Sequence, residues 1–506
     1  MTYTPPPSME HQSQDFERAK DFAGYARFWE QGTGKSKPTI DEQVYHLLGG
    51  RIDAALVFAP NGVHSNWAKK EWPIHVPGDI AENINFFEFD YSKTGTRYYE
   101  KELQNLLYGK KIPFVAMSYD SLMTASGLKV AQHLLKRRRC FLTGDEAHRF
   151  KDPSTKRTKR VLAAAKWAPY RRILTGTPIL ESPFNAYTLM KFIDENYWTP
   201  YRLHTYTTFR AMFGLYGKGF APDHIKRRMA ARGESDLSNC VGYQNMDLLA
   251  DALSSHSSRF LKDDVLELPP KLFTQYEHGL TKVQQNMFDD LKENLIAELD
   301  GGTITSKMAL VELLRLQQIT CGHVTMDDGT MKQFDPNPRL QLMSNLQQDI
   351  PHRHIIFNRF TQDVDDCLDM CKKNGLRAVR YDGRDDTQAR NDACERFQDL
   401  PVDDPKAYDV IVANTSALSE GRTLTAAKTV AYYSNGWSAI QRQQSEDRAH
   451  RIGQDGAPLL GLEGGHGVHY LDLICPGTPD EKIVKAYRKK QAVSEDVLGD
   501  SPRNWI

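Results

Sequence analysis

The spacing of short apolar runs constrains this chain more than any other feature. Ala54–Ala59 (AALVFA), Pro113–Met117 (PFVAM), Cys140–Thr143 (CFLT) and Arg172–Leu174 (RIL) are separated by amphipathic stretches. Strands that alternate with helices pack as a parallel sheet covered on both faces. A second series, His354–Phe357, Ala378–Tyr381, Val410–Ala413, Thr429–Tyr433 and Val468–Leu473, repeats the arrangement in the second half. Helical patterns at Thr281–Leu299 and Ser306–Ile319 lie between the two series, beyond the break Leu268-Pro269-Pro270-Lys271. A chain of 506 residues is too long for a single core. The expected architecture is α/β in two lobes. The N-terminal lobe covers 1–265 and ends in a helical extension (about 190–265); the C-terminal lobe covers 266–506, with a helical insertion (about 275–345) and a helical tail.

Lys plus Arg number 65 and Asp plus Glu number 65, so a polyanionic partner would have to be met by local patches rather than by net charge. Basic runs occur at 136–139, at Lys156-Arg157 with Lys159-Arg160, and at Lys226-Arg227-Arg228, and each reads equally well as a solvated face. The seven cysteines are scattered and lack a second ligand pair at zinc spacing, which fits a reducing compartment. No charged leader precedes an apolar stretch, and no run reaches the ~18 apolar residues of a spanning helix. A chain neither secreted nor embedded in a membrane is expected. The Tyr and Trp residues of the 196–220 stretch are expected to be core of the helical extension rather than stacking surfaces.

Three segments carry chemistry. Phe16–Phe28 reads as helical and leads into Trp29-Glu30-Gln31-Gly32-Thr33-Gly34-Lys35-Ser36, followed by an amphipathic run over Pro38–Leu48. A glycine-rich loop that opens a helix can wrap backbone N–H groups around phosphates, with Lys35 reaching the outer phosphates and Ser36 holding Mg²⁺. The full phosphate-loop pattern wants glycine where Trp29 stands, and a plain glycine turn is the other reading. The apolar strand at Cys140 ends in Asp145-Glu146-Ala147-His148, where Asp145 can serve Mg²⁺ and Glu146 can activate water; a solvated acidic pair is the alternative. Arg448 and Arg451 lie i and i+3 on one predicted helix, and their guanidinium groups suit transferring phosphoryl oxygens, although a surface ion-pair helix would look alike.

Together these residues resemble superfamily 2 helicases, and more narrowly the Swi/Snf-type branch of double-stranded DNA translocases, especially the short forms encoded by bacteriophages. His11-Gln12 is similar to the adenine-reading element, Gly32–Ser36 to motif I, Ala59-Pro60-Asn61-Gly62-Val63 through Trp67 to motif Ia, and Ser118-Tyr119 to motif Ib. Asp145–His148 resembles motif II, Leu174-Thr175-Gly176-Thr177-Pro178 motif III, and Ile356–Phe360 motif IV. Gln444–Gln454 matches the branch-specific motif VI. Motif V departs: Gly421 fits, but Leu418 and Ser419 stand where the family tends to have paired glycines.

The resemblance implies a P-loop NTPase of two RecA-like lobes with one ATP site between them. It implies Gln12 for adenine; Gly32, Thr33, Gly34, Lys35, Ser36 and Gly421 for the nucleotide; Ser36 and Asp145 for Mg²⁺; and Lys35, Glu146, Gln444, Arg448 and Arg451 for hydrolysis. Pro60, Asn61, Gly62, Ser118, Arg359 and Thr415 would hold the DNA backbone without sequence preference, and His148, Thr175 and Thr177 would couple the lobes. The implied protein is a bare, monomeric motor on double-stranded DNA, acting in a bacterial host's cytoplasm. A strand-separating DNA or RNA helicase with its wedge in the 196–245 region, a nucleotide-switched DNA-binding protein that does not hydrolyse, and the motor subunit of a restriction or recombination system remain the alternatives.

Overall fold

Apolar runs of four to seven residues bounded by helices are expected to be buried on both faces, and the first series is. The computed structural model describes residues 5–176, 178–179, 182–216, 240–300, 306–418, 422–458 and 466–498. Its strands Gly24–Arg27 (β1), Ala54–Ala59 (β2), Ile84–Phe89 (β3), Ile112–Ser118 (β4), Cys140–Asp145 (β5), Tyr170–Leu174 (β6) and Ser257–Ser258 (β7) form one parallel sheet in the order β3-β4-β2-β5-β6-β1-β7. The twofold side-chain period divides β2 between two cores. Ala54, Leu56 and Phe58 join Leu142, Ile173 and Phe192 on one face, while Ala55, Val57 and Ala59 join Ile40, Val44, Trp67 and Trp72 on the other.

Two of these strands correct the sequence reading. The first helix, Glu10–Ala19 (α1), ends well before Phe28, and Gly24–Arg27 is a strand parallel to β6 and β7. Four residues are too few to show a period, and the charged Arg27 masks the strand until its buried partners are seen. β3 was also hidden: its partly exposed INFFEF run sits at the sheet edge beside β4. In the 190–265 stretch, Tyr197, Trp198, Phe209 and Phe213 are buried among Leu249, Ala252 and Leu253 of the helix Met246–Ser254. These four aromatics are core. The chain then returns to the main sheet as β7.

Contacts divide the chain into one unit of Met1–Leu266 with the residues from Lys490, and another of Glu267–Lys489. The second unit holds the strands Lys271–Glu277 (β8), His354–Asn358 (β9), Ala378–Tyr381 (β10), Val410–Asn414 (β11), Thr429–Tyr432 (β12) and His466–Ile474 (β13), parallel in the order β8-β13-β12-β9-β11-β10. β8 begins at the end of the Leu268–Lys271 break and is not among the strands read from the sequence. Its middle residues face outward, so it lacks the apolar alternation of a half-buried strand. The helices Lys282–Asp300 and Ser306–Cys321 pack through Phe288, Leu295, Leu316 and Ile319. No described helix is long and apolar enough to cross a membrane.

A buried guanidinium organises this second unit. Arg339 donates to His278 Nε2 at 2.8 Å, to the Tyr433 carbonyl at 2.9 Å and to Cys321 Sγ at 3.2 Å, and it pairs with Asp480. These contacts gather β8, two helices, the end of β12 and the helix Pro479–Leu498. Burial and the Arg339 charge push His278 down to about 4, so its ring is a neutral acceptor. Removing Arg339 leaves the Asp480 carboxylate buried without its cation, which costs about 3–5 kcal/mol. Urea unfolding of Arg339→Leu is expected to show a loss of that size, and Arg339→Leu with Asp480→Leu is expected to recover part of it.

Candidate nucleotide site at the carboxyl edge of the first sheet

In a parallel sheet every strand of one unit delivers its following loop to the same edge, which is where such folds bind ligands. β1 delivers the loop Phe28–Lys35 and the helix Ser36–Leu48 (α2), β2 delivers Pro60–Gly62, β4 delivers Tyr119, β5 delivers Glu146, and β6 delivers Thr175. Motifs Ia, Ib, II and III therefore start at a strand's end, motif I follows β1 by five residues, and the adenine-reading element is on α1.

The phosphate loop is clasped from α1. Gly32 and Gly34 have φ of 91° and 80°, in the left-handed region that glycine adopts without strain. Gln12 donates to the Gly34 carbonyl at 3.1 Å and accepts from the Met9 N–H at 3.0 Å, and the His11 ring bonds the Thr33 carbonyl at 2.9 Å. The structure thus brings Gln12 and the loop together. Lys35 donates to the Trp29 and Glu30 carbonyls at 2.9 and 3.1 Å, and Ser36 opens α2.

Trp29, the departure from the glycine pattern, is explained by where its ring goes. The indole is fully buried, donates to Ser258 Oγ at 2.7 Å and packs edge-on to Phe260 at 4.9 Å. It nails the start of the loop to β7. The carbonyl rather than the side chain faces Lys35.

The carboxylates of β5 sit opposite. Trp67 donates from its indole N–H to Asp145 Oδ2 at 2.8 Å, and Tyr119 donates to the Asp145 carbonyl at 2.7 Å. Gln31 of the phosphate loop donates to Glu146 Oε1 at 2.9 Å, and His148 Nδ1 lies 3.3 Å from Glu146 Oε2. Burial opposes charge on both acids. For Glu146 the His148 contact, Lys35 and Gln31 outweigh it and hold the group below the usual carboxylate range. For Asp145 burial and the neighbouring Glu146 charge dominate and push the group up. The pair therefore favours one negative charge, on Glu146, until a cation arrives. Glu146 also has φ 49° and ψ 52°, a left-handed backbone that costs a non-glycine residue about 1 kcal/mol or more and is held by its surroundings.

The donor set fits Mg²⁺. Ser36 supplies a hydroxyl and Asp145 a carboxylate, both hard oxygen donors, and Mg²⁺ commonly takes one or two protein ligands beside phosphate and water. Among the described residues no cluster of three or more His, Cys, Asp or Glu forms an all-protein metal cage.

The other expected residues are placed unevenly. Thr175 is buried, its N–H donating to the Arg27 carbonyl at 3.1 Å beside the phosphate loop. Thr177 and Gly421, and with them the centre of motif V and the 226–228 basic run, lie outside the described residues. Asn61 is exposed and donates to Asp120, and Gly62 is exposed at φ 84°. Pro60 and Ser118 correct the expectation of surface contacts: both are buried, and the Ser118 hydroxyl is taken up by Ser121 at 2.8 Å, closing the turn after β4. In the second unit Arg359 and Thr415 follow β9 and β11, half-buried, with Thr415 donating to the Asn358 carbonyl at 3.3 Å.

Gln444 and Arg448 are buried on the helix Ala439–Ala449, and Arg448 donates to the Gln444 and Arg422 carbonyls, each at 2.9 Å. Arg451 is not on that helix, which corrects the shared-face reading. The chain leaves the helix at His450, whose ring bonds the Pro269 carbonyl at 2.8 Å, and Arg451 donates to the Asp447 carbonyl and the Thr423 hydroxyl. Sequence reasoning missed Gln31, Trp67, Glu71 and Tyr119 as partners of the site. Trp67 and Asp145 are 78 positions apart, and only the fold joins them.

A glycine loop opening a helix, with an acidic pair at the end of another strand of the same parallel sheet, is the arrangement of a P-loop nucleotide site, and a second parallel α/β unit follows it in the chain. The SNF2-related domain family matches residues 9–326 and the helicase conserved C-terminal domain matches 338–453. The chain belongs to the SNF2-related family, within helicase superfamily 2. It is 26% identical over 377 residues to the human SWI/SNF-related matrix-associated actin-dependent regulator of chromatin subfamily A member 1, covering 71% of this chain and 32% of that protein. It is 24% identical over 482 residues to a probable ATP-dependent DNA helicase of Arabidopsis thaliana, covering 93% and 39%. The chain thus spans well under half the length of these relatives. The SWI2/SNF2 ATPase core of Sulfolobus solfataricus in complex with dsDNA is similar at 21% identity with a TM-score of 0.39, covering 100% of this chain and 96% of that one.

A Cβ added at Gly34 would stand 2.3 Å from Gln12 Nε2, in a backbone conformation that alanine resists. Gly34→Ala is expected to weaken binding of a fluorescent ATP analogue by about tenfold or more. Gly50→Ala, at φ 63° with open space around it, is the matched control and is expected to bind as the wild type does.

Proposed function

We propose that this protein is a DNA-dependent ATP hydrolase that moves along double-stranded DNA and remodels DNA or the complexes on it. The observation that carries the reading is the convergence of Lys35, Asp145 and Glu146: the two carboxylates end one strand, and the Lys35 charge acts on both. Bound at Ser36 and Asp145, Mg²⁺ would neutralise phosphate charge. Lys35, now held by loop carbonyls, exchanges them for the outer phosphates. Glu146, kept ionised by His148, Gln31 and Lys35, orients a water and accepts its proton. Gln12 reads adenine beside Gly34. Arg448 and Arg451 would stabilise charge on the transferring phosphoryl group, with Gln444 in the same segment.

Membership in the SNF2-related family and the exposed Asn61–Gly62 loop support duplex DNA, gripped by its backbone without sequence choice, as the partner. A monomeric motor resembling short bacteriophage forms and working in a bacterial cytoplasm belongs to the same proposal and rests on sequence resemblance.

Glu146→Gln removes the proton acceptor while keeping the shape. Its ATP turnover is expected to fall by about 100-fold or more with nucleotide binding retained. Wild-type hydrolysis is expected to rise with duplex DNA, and the protein to displace the third strand of a triplex but not the strands of a duplex. Duplex unwinding would instead establish a strand-separating helicase, and absence of hydrolysis under every condition would defeat both.

A further inference from the structure

The segment after β2 bonds Asp145, one of the side chains assigned to the cation, and carries a carboxylate on which Ser36, the other, acts. It begins at the exposed Asn61 and Gly62, forms the short helix Val63–Asn66, and continues into the π turn Trp67–Glu71. Widened turns of this kind are rare and concentrate at functional sites. Its two ends point inward. The Trp67 indole is 1% exposed and donates to Asp145 Oδ2 at 2.8 Å. Four residues on, the partly exposed Glu71 carboxylate lies 3.9 Å from His75, and the Ser36 hydroxyl is among the groups that act on it. The middle points outward: Lys69 and Lys70 are exposed, and Lys69 pairs with Glu88 of β3 at 2.6 Å. One five-residue turn therefore presents two cations to solvent and two polar groups to Asp145 and Ser36.

Asp145 has few ways to hold its rotamer. One oxygen takes the N–H of Glu146 at 2.9 Å, and the other takes the indole N–H. Outer-shell donors of this kind orient ligating carboxylates, and losing one typically weakens metal binding by about tenfold or more. Resting on the function proposed above, we propose that Trp67 is a positioning residue for Asp145, and that the Trp67–Glu71 turn carries engagement of a phosphate backbone at Asn61, Gly62 and Lys70 to the cation-holding side chains Asp145 and Ser36. A backbone phosphate drawing on the outward cations shifts the turn as a piece, and the indole and carboxylate at its ends shift with it.

Trp67→Phe keeps an aromatic ring but removes the indole N–H together with part of the ring's volume. Trp72→Phe is the matched control, because the Trp72 indole is equally buried on the neighbouring helix but donates to Gln43 at 2.9 Å, away from the carboxylates. With the full chain and ADP, paramagnetic resonance of Mn²⁺ is expected to show about tenfold weaker manganese binding in Trp67→Phe and wild-type binding in Trp72→Phe. In hydrolysis assays the ratio of rates with and without duplex DNA is expected to fall several-fold in Trp67→Phe alone. Equal losses in the two variants, or unchanged manganese binding in Trp67→Phe, would overturn the proposal. A wild type whose hydrolysis ignores duplex DNA defeats the DNA reading, while the manganese measurement still decides the link between Trp67 and Asp145.

Discussion

Four charges sealed from water hold the first unit's active edge together. Arg27 of β1 donates to Asp15 of α1 at 2.6 Å and to Glu42 of α2 at 2.5 Å, and Arg172 of β6 donates to the other oxygen of Glu42 at 2.6 Å; all four side chains are fully buried. Two cations against two anions leave no net charge to desolvate. Arg27 also donates to Thr39 and Arg172 to the Ala19 carbonyl, so spare donors are used. Each member stands on a different element, and those elements carry Gln12, the phosphate loop, Ser36 and Thr175. Apolar packing could tolerate small slips between them, whereas paired buried charges penalise any separation steeply in a low dielectric.

The second unit repeats the device around other residues. Arg442, on the helix that carries Gln444 and Arg448, donates to Asp472 of β13 and to Asn435, and its guanidinium lies 3.4 Å over the Tyr432 ring. In both units a buried arginine sets where a helix that carries candidate site residues rests on its sheet. This differs from the surface role usually given to arginine, and it concentrates stability at the places where geometry has to be held within fractions of an ångström.

The central strands could be read from sequence because β2, β4, β5, β9, β11 and β12 are nearly all apolar and bracketed by helical patterns. The glycine loop and the acidic pair were legible for a different reason, since their chemistry requires particular residue types in adjacent positions. What stayed hidden depends on distant partners. Arg27 looks unsuited to a strand until Asp15 and Glu42 are beside it. Ser118 looks like a surface hydroxyl until Ser121 folds over it. Arg451 shares helical spacing with Arg448, but the bond from His450 to the Pro269 carbonyl ends the helix between them. Nothing local to Trp67 announces a carboxylate 78 positions away.

The return of the chain to its first sheet at β7 has a consequence for how such a protein can change length. The described residues between Ile193 and Ser257 leave the first sheet, and the chain comes back to it, with one end fixed by the helix Asn185–Ile193 and the other by pairing of Ser257 and Ser258 with Ala26 and Arg27. Closing such an excursion costs entropy that grows only with the logarithm of its length, about 0.6 kcal/mol per doubling. Residues can be gained or lost inside the excursion at little cost to the sheet, provided Ser258 still receives the Trp29 indole. The segment is a place for an experimenter to insert a module without changing the order of the strands.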